Sequence, residues 1–356
     1  MIAQDDLVRT HAEAQDNARE PLLVLEPLIE FLDAHQLGSG EPEIEPIGEG
    51  HSNVTYSVRR GDMEFVLRRP PRGPLPPSAH DVLREARIVK ALEGRGRVAK
   101  VLAVCDNPSL IGAPFYLMQK VAGHVIGSTV PPQLDCVEDR RLMCEQLVDA
   151  LVEIHAVDWR EAGLEGFGKP TGYLERQLRR FSGLWELNRT RDLPAVEQIG
   201  RWLADTMPES PAATIVHGDF RLGNAMFAPQ SPAHLVAVFD WEMATIGDPL
   251  ADVGYLCTFW ADRDDPPLGV FDMNAVTREA GFMQRSELLE RYEEKSGRSM
   301  TDIVWYRTLA VWKIIVFMEG NYKRSLAGTT DDEFLRVFGE GIAELAERVE
   351  REIHRD

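Results

Sequence analysis

His217-Gly218-Asp219-Phe220-Arg221-Leu222-Gly223-Asn224, followed by Asp240-Trp241-Glu242, is the stretch on which the reading of this chain turns. The apolar run Thr214-Ile215-Val216 ahead of it predicts a short strand, and the loop that leaves this strand carries a carboxylate and then, at Asn224, an amide. A second carboxylate, Asp240, ends the apolar run from Leu235 to Phe239. Two carboxylates and an amide so spaced suit phosphoryl transfer, which asks protein for positioning and charge neutralisation more than for covalent chemistry. Asp219 is the expected base for the attacking hydroxyl, a contribution of about 10²–10⁴ in rate. Asn224 and Asp240 are the expected metal ligands, because Mg²⁺ prefers hard oxygen donors. A strand that merely ends in a turn, with Asp219 bonding local amides, is the alternative for the His-Gly-Asp triplet alone. Asn224 and Asp240 arriving at the required spacing argue against it. His217 reads as structural, its ring fixing the loop backbone.

The bulk of the chain is compatible with an enzyme of two lobes. It has 356 residues, 44% hydrophobic and 27% charged, enough for a large core. Its net charge of −19 repels phosphate backbones and anionic lipid surfaces, so neither nucleic acid nor a membrane is an expected partner, and no obligate protein partner is indicated. Cys105, Cys136, Cys144 and Cys257 have no paired or metal-ligand spacing and read as small apolar residues in a reducing compartment. The start, Met1-Ile2-Ala3-Gln4-Asp5-Asp6, lacks the apolar run of a signal sequence, and Leu309 to Met318 is too short to span a bilayer and is interrupted by Lys313. A cytoplasmic location is the expectation.

Periodicity divides the chain into three parts. Residues 1 to 39 hold a polar, frayed start and a helix from Leu22 to Leu37 that stops at Gly38. Residues 40 to 120 alternate as strands, at Ile44 to Ile47, Val54 to Val58, Phe65 to Arg68, Val98 to Val104 and Phe115 to Met118, with a Gly61-Asp62 turn and a helix from Asp81 to Leu92. Residues 121 to 356 are mainly helical, interrupted by the short strands that carry the motifs. The expected class is α+β, with a small lobe of antiparallel sheet plus helix and a larger helical lobe.

The small lobe holds the candidate nucleotide residues. Gly48-Glu49-Gly50-His51-Ser52-Asn53 lies between two strands, and its glycines let backbone amides approach phosphate. Gly48, Gly50, Ser52 and Asn53 are therefore candidate phosphate contacts, with a plain hairpin turn as the alternative. The loop precedes Phe65-Val66-Leu67-Arg68 at the separation of a glycine loop and a strand that bears a phosphate-binding lysine. Arg68 stands where that lysine would be; it keeps the charge and changes the geometry. Glu85 on the following helix is its natural ion-pair partner, a surface salt bridge is the other reading of the pair, and Arg69 is a second candidate for phosphate. Backbone groups of Gln119 and Val121, in Phe115 to Gly123, are candidates for the edge of adenine.

At these residues the chain resembles the aminoglycoside phosphotransferase family, a branch of the protein-kinase-like fold that includes small-molecule kinases such as choline kinases. The resemblance runs from about Ile44 to Gly328, and the loop His217 to Asn224 with Asp240-Trp241-Glu242 is its most specific part. It implies a bilobal protein-kinase-like fold, use of ATP and Mg²⁺, Asp219 as base, and Asn224 and Asp240 as metal ligands. Gly247-Asp248-Pro249-Leu250-Ala251-Asp252 is similar to the segment that follows the metal aspartate in the family. Asp248 and Asp252 read as structural, capping and tying a helix.

Substrate choice follows from two departures from protein kinases. Gly218 stands where an arginine would read activation-loop phosphate, and Asp248-Pro249 follows Asp240 too soon for a long phosphorylatable segment. The expected acceptor is a small hydroxylated molecule. Glu242, Asp262, Asp264 and Asp265 are candidates to hold a cationic aminoglycoside, against the plainer reading of a solvated acidic surface. Trp305-Tyr306-Arg307 to Trp312-Lys313, Gly320 to Arg324, and Arg68-Arg69-Pro70-Pro71 resemble the subgroup of phosphotransferase domains that accompany acyl-CoA dehydrogenases. That subgroup is linked to phosphorylation of hydroxyacyl-CoA. The aromatic residues of the stretch read first as core packing at helical spacing. A nucleotide-binding module without catalysis is the rival reading, motivated by Arg68 and by Asn53 in place of a third glycine.

Overall fold

Tyr56 and Val58, with Phe65 and Leu67 on the next strand, put their side chains on one face of an antiparallel hairpin, as the two-residue period of a strand requires. The chain reverses between Arg60 and Met63 through Gly61, whose φ of +58° suits glycine. The computed structural model describes residues 6–17, 19–47, 53–73, 80–266, 275–328 and 333–353. Its contacts separate two units, Met1–Ala122 and Gly123–Asp356.

In chain order the first unit holds β1 (Leu7–Val8), α1 (His11–Asp16), β2 (Leu23–Val24), α2 (Leu25–Ala34), β3 (Glu43–Pro46), β4 (Val54–Arg60), β5 (Met63–Arg69), α3 (Val82–Leu92), β6 (Val101–Cys105) and β7 (Phe115–Gln119). β3, β4, β5, β7 and β6 form one antiparallel sheet in that order. The fully buried Leu28 and Leu32 of α2 join Tyr56, Phe65, Leu67 and Phe115 in a single core. The N-terminal segment is thus built into this unit's core, and β1 pairs in parallel with β2 where sequence reading expected a frayed end. The helix expected from Leu22 begins later, at Leu25, because Leu23 and Val24 are taken up by that pairing.

The second unit holds β8 (His124–Val125), α4 (Val137–Ala156), α5 (Tyr173–Asn188), α6 (Pro194–Asp205), β9 (Thr214–Val216), β10 (Ala225–Phe227), β11 (Leu235–Val238), β12 (Thr245–Gly247), α7 (Leu250–Thr258), α8 (Arg285–Ser296), α9 (Ile303–Leu326) and α10 (Glu333–Ile353). α9 is buried on several sides and packs against α5, α6, α7 and α10. Its Trp305 and Trp312 indoles donate to the carbonyls of Leu203 and Val196 at 3.1 and 3.0 Å, so these aromatic residues are core, as their spacing suggested. Two small antiparallel sheets position the motifs: β12 pairs with β9, and β10 pairs with both β11 and β8. Among the described residues no helix is long and apolar enough to cross a membrane.

Candidate active site

β9 leads into the loop from His217 to Asn224, and pairing of β10 with β11 brings the far end of that loop beside Phe239. Ala225 lies opposite Val238, and the Phe239 N–H donates to the Asn224 carbonyl at 2.9 Å, so Asn224, just before β10, and Asp240, just past the end of β11, belong to neighbouring ends of paired strands. Asn224 turns its Nδ2 group toward Asp219, donating at 2.8 Å both to the Asp219 carbonyl and to Oδ2. Both partners are oxygen, which fixes the orientation of the amide and leaves Asn224 Oδ1 facing the other way. Asp240 adopts a left-handed conformation, φ +65° and ψ +59°, uncommon for a residue with a side chain and typical of functional sites. Asn224 Oδ1 and the Asp240 carboxylate are hard oxygen donors, the kind a magnesium ion takes, so the residues present fit that metal.

The loop itself is held from behind. Asp252 of α7 is fully buried and accepts the His217 N–H on Oδ2 at 2.7 Å and the Gly218 N–H on Oδ1 at 2.8 Å. His155 of α4 lies 3.2 Å from Asp252 Oδ2 through Nε2, and its Nδ1 meets the Tyr292 hydroxyl at 2.7 Å. Burial opposes ionisation of Asp252, but the hydrogen bond from His155, with the Gly218 amide, outweighs it and holds the carboxyl below its ordinary range. Burial lowers the His155 imidazole, so this ring is neutral and donates its Nε2 proton to Asp252. His217 accepts the Asp219 N–H on Nδ1 at 3.2 Å and faces the Phe239 carbonyl through Nε2 at 2.8 Å, which places its proton on Nε2. It links the strand before the loop to Phe239, one residue before Asp240. Gly218 has φ +89°, and a Cβ there would lie 2.8 Å from the Met243 carbonyl, so no side chain fits where a protein kinase carries arginine.

Asp219 faces a cavity of about 690 Å³ within the second unit. Arg221 Nε lies 3.4 Å from Asp219 Oδ1, and the Tyr255 hydroxyl also bonds this carboxylate. Burial, then the charge of Asp219, pushes the Tyr255 phenol upward, so Tyr255 stays protonated and donates. The cavity wall is apolar in large part, with Phe181, Phe259 and Phe317 among its residues. Asp262 and Asp265, offered by sequence as a cation site, are bound by Arg285 at 3.1 and 2.7 Å.

The nucleotide candidates lie in the first unit. Strand alternation sends Arg68 and Arg69 to opposite faces of the sheet. Arg68 donates through Nε to Glu85 Oε2 at 2.9 Å and through Nη1 to Thr55 Oγ1 at 3.3 Å; Asn53 Nδ2 meets the same Glu85 oxygen at 3.2 Å. Glu85 is 3% exposed, so this is a buried pair rather than a surface salt bridge. Arg69 donates instead to the carbonyls of Pro70 at 3.0 Å, Ile111 at 3.2 Å and Leu22, and burial lowers its guanidinium to about 10. That guanidinium is committed to main chain. The Gln119 N–H donates to the Lys100 carbonyl at 2.8 Å. Gly48, Gly50 and Ser52 lie outside the described residues.

The model of the APH phosphotransferase enzyme family matches residues 43–280. The chain belongs to this phosphotransferase family. It is 36% identical over 315 residues to mouse acyl-CoA dehydrogenase family member 10, covering 86% of this chain and 29% of that much longer protein. A crystal structure of a candidate aminoglycoside phosphotransferase from Ralstonia eutropha superimposes with a TM-score of 0.80 at 29% identity, covering 93% of this chain and 99% of the other. Aminoglycoside phosphotransferase APH(4)-Ia, solved as a ternary complex with AMP-PNP and hygromycin B, shares the fold with a TM-score of 0.60 at 17% identity, over 92% and 98% of the two chains. The family's α+β, kinase-like fold is therefore the fold of this protein.

Sequence reading missed three features around Asp219: Tyr255 and Arg221 beside it, and the reach of Asp252 to the loop. Tyr255 follows Asp252 by three residues on α7, so the two share a helix face, which is the one signal that pointed to it.

Proposed function

We propose that this chain is an ATP- and magnesium-dependent phosphotransferase that acts on a hydroxyl of a small molecule, a hydroxyacyl-CoA-like metabolite being the favoured acceptor. The observation that carries the reading is the Asp219 carboxylate, gripped by Asn224 at 2.8 Å and facing the largely apolar cavity of about 690 Å³. Asp219 takes the proton of the acceptor hydroxyl, and Asn224 and Tyr255 fix the carboxylate so that it meets the hydroxyl without reorganising. Asn224 Oδ1 and Asp240 hold magnesium, which when bound neutralises charge on the triphosphate. In the first unit Arg68, braced by Glu85 and Thr55, is the phosphate cation; Asn53 with the glycine loop of Gly48, Gly50 and Ser52 serves the phosphates, and Gln119 and Val121 serve adenine. The acceptor assignment draws support from the relative named acyl-CoA dehydrogenase family member 10 and from the apolar wall.

Two other readings have less support. An aminoglycoside acceptor needs free carboxylates near Asp219, and Asp262 and Asp265 are occupied by Arg285. A catalytically silent module has no use for the Asp219–Asn224 grip. Purified protein incubated with Mg-ATP and a panel of hydroxyacyl-CoAs, hydroxylated metabolites and aminoglycosides tests the proposal. Phosphorylation of a hydroxyacyl-CoA is the expected result, and folded protein that transfers phosphate to none of them overturns it.

A further inference from the structure

We propose that Arg307 and Lys313, both on α9, read an anionic group of the acceptor, so that the molecule phosphorylated beside Asp219 is an acid with an apolar body. The inference rests on the reading of Asp219 as the base and adds the charge and the contacts of its substrate. Among the described residues, five cations line the cavity against three carboxylates, Asp219, Asp265 and Glu352. Three of the cations have their partners inside the protein. Arg285 binds Asp262 and Asp265, Arg348 Nε binds Glu352 at 3.2 Å, and Arg221 lies against Asp219. Arg307 and Lys313 remain.

Among the described residues neither of the two makes an ion pair or a hydrogen bond, and Arg307 Nε is buried without a partner. The Lys313 ammonium lies 5.1 Å from the centroid of the Phe181 ring, itself part of the cavity wall. A cation withdrawn from water costs free energy unless an anion or acceptor meets it, and removing such a cation usually stabilises a fold that has no use for it. Two cations without an ion-pair partner among the described residues, kept at one largely apolar cavity, are explained if a ligand brings the anion. A cavity built for a polycation would have the opposite balance.

Oxyanion chemistry has two sources here, the carboxylate of a free hydroxy acid and the phosphates of its coenzyme A thioester. The two cations stand six residues apart, about 9 Å along the helix axis. A compact carboxylate therefore meets one of them, whereas an extended thioester with its phosphates reaches both.

The test is calorimetric titration of the full chain at neutral pH with hydroxydecanoate, with hydroxydecanoyl-CoA and with decanediol as the uncharged analogue, repeated on Arg307→Met and Lys313→Met. At least one anionic probe is expected to bind more tightly than decanediol, and loss of a charge-assisted contact should weaken it about 10- to 100-fold. Weakening by one substitution identifies the free acid as the better fit, and weakening by both identifies the thioester. Decanediol affinity should not move, and both variants should melt no lower than the parent. The inference is overturned if no anionic probe binds, if decanediol binds as tightly, or if neither substitution weakens anion binding. Its failure is separable from failure of the enzymatic reading: phosphate transfer to decanediol at the best rate sinks the anion site alone, while charge-dependent anion binding without ATP consumption sinks the kinase assignment alone.

Discussion

Asp252 accepts the backbone N–H of Gly218 at 2.8 Å, which ties the first turn of α7 to the residue next to the proposed base. The second oxygen takes the His217 N–H at 2.7 Å, so two consecutive amides of the loop end on one buried carboxylate. Asp252→Ala strands both amides and the Nε2 proton of His155, and each buried donor left without a partner costs about 1–3 kcal/mol. The variant should melt several degrees lower and lose phosphoryl transfer well beyond what its folded fraction explains. Thermal denaturation and transfer rates on the same preparation measure the two effects, and a full rate per folded molecule would show that the loop holds its shape unaided.

His155 gives this anchor a pH dependence. Burial lowers its folded pKa below the ordinary 6.5, so beneath that pH the unfolded chain takes up a proton that the folded chain refuses. Stability should therefore fall as pH drops through 6.5, by up to about 1.4 kcal/mol per unit for this one group. Asp252 acts lower: its folded pKa lies under the ordinary 3.8, and its contribution is present above that value and lost only as pH falls through the folded one. Denaturant unfolding of His155→Gln between pH 7 and pH 5 should show a shallower decline than the parent, and parallel curves would remove His155 from the account.

The arrangement of the His217–Asn224 loop beside Asp240 was legible because it is local. Asp219, Asn224 and Asp240 are fixed by loop length and by one strand pairing, both visible as spacing. Arg68 and Arg69 were not separable in sequence, since both lie at the end of an apolar strand. The choice between them depends on which sheet face meets Glu85 and which meets the Leu22 carbonyl. Asp252 was seen as a residue that ties its own helix, and its bonds to His217 and Gly218 span more than thirty positions that no local pattern records. Arg307 and Lys313 sat in a stretch read for its tryptophans. Those aromatic residues are indeed core, while Arg307 and Lys313 beside them line the cavity.

Asp219→Asn keeps the shape of the side chain and removes its basicity. Phosphoryl transfer should fall by at least about 10²-fold while ATP affinity stays within a factor of about 2, since the role assigned is proton transfer. Asn224→Ala should instead raise the magnesium concentration needed for half-maximal rate, because it deletes a metal donor and the grip on Asp219 Oδ2. Steady-state rates at varied Mg²⁺, with calorimetry for ATP, separate the two. Equal loss of ATP binding in Asp219→Asn would contradict the base assignment.

Arg68 and Arg69 should respond in opposite ways to lysine. Arg68→Lys loses the directed bonds to Glu85 and Thr55 and should raise KM for ATP about 10-fold, with little change in melting temperature. Arg69→Lys cannot span the carbonyls of Pro70, Ile111 and Leu22 and should lower the melting temperature while leaving KM for ATP unchanged in the folded protein. The reverse pattern would make Arg69 the phosphate ligand.

Lys313 supplies the last expectation. Burial pushes its ammonium from the ordinary 10.5 down to about 8, with Asp252 of α7 and Asp219 of the loop opposing the shift and Arg180 of α5 adding to it. Between pH 8 and 10.5 the unfolded chain keeps a proton that the folded chain has lost, so the stability contribution of this residue rises with pH across that window. Anion binding moves the other way. If Lys313 reads the acceptor's acid group, the affinity of hydroxydecanoate should be full at pH 7 and weaken as the ammonium loses its proton above pH 8, and Lys313→Met should abolish that slope. Titrations at pH 7, 8 and 9 on parent and variant decide it, and a slope that survives in the variant would assign the pH dependence to another group.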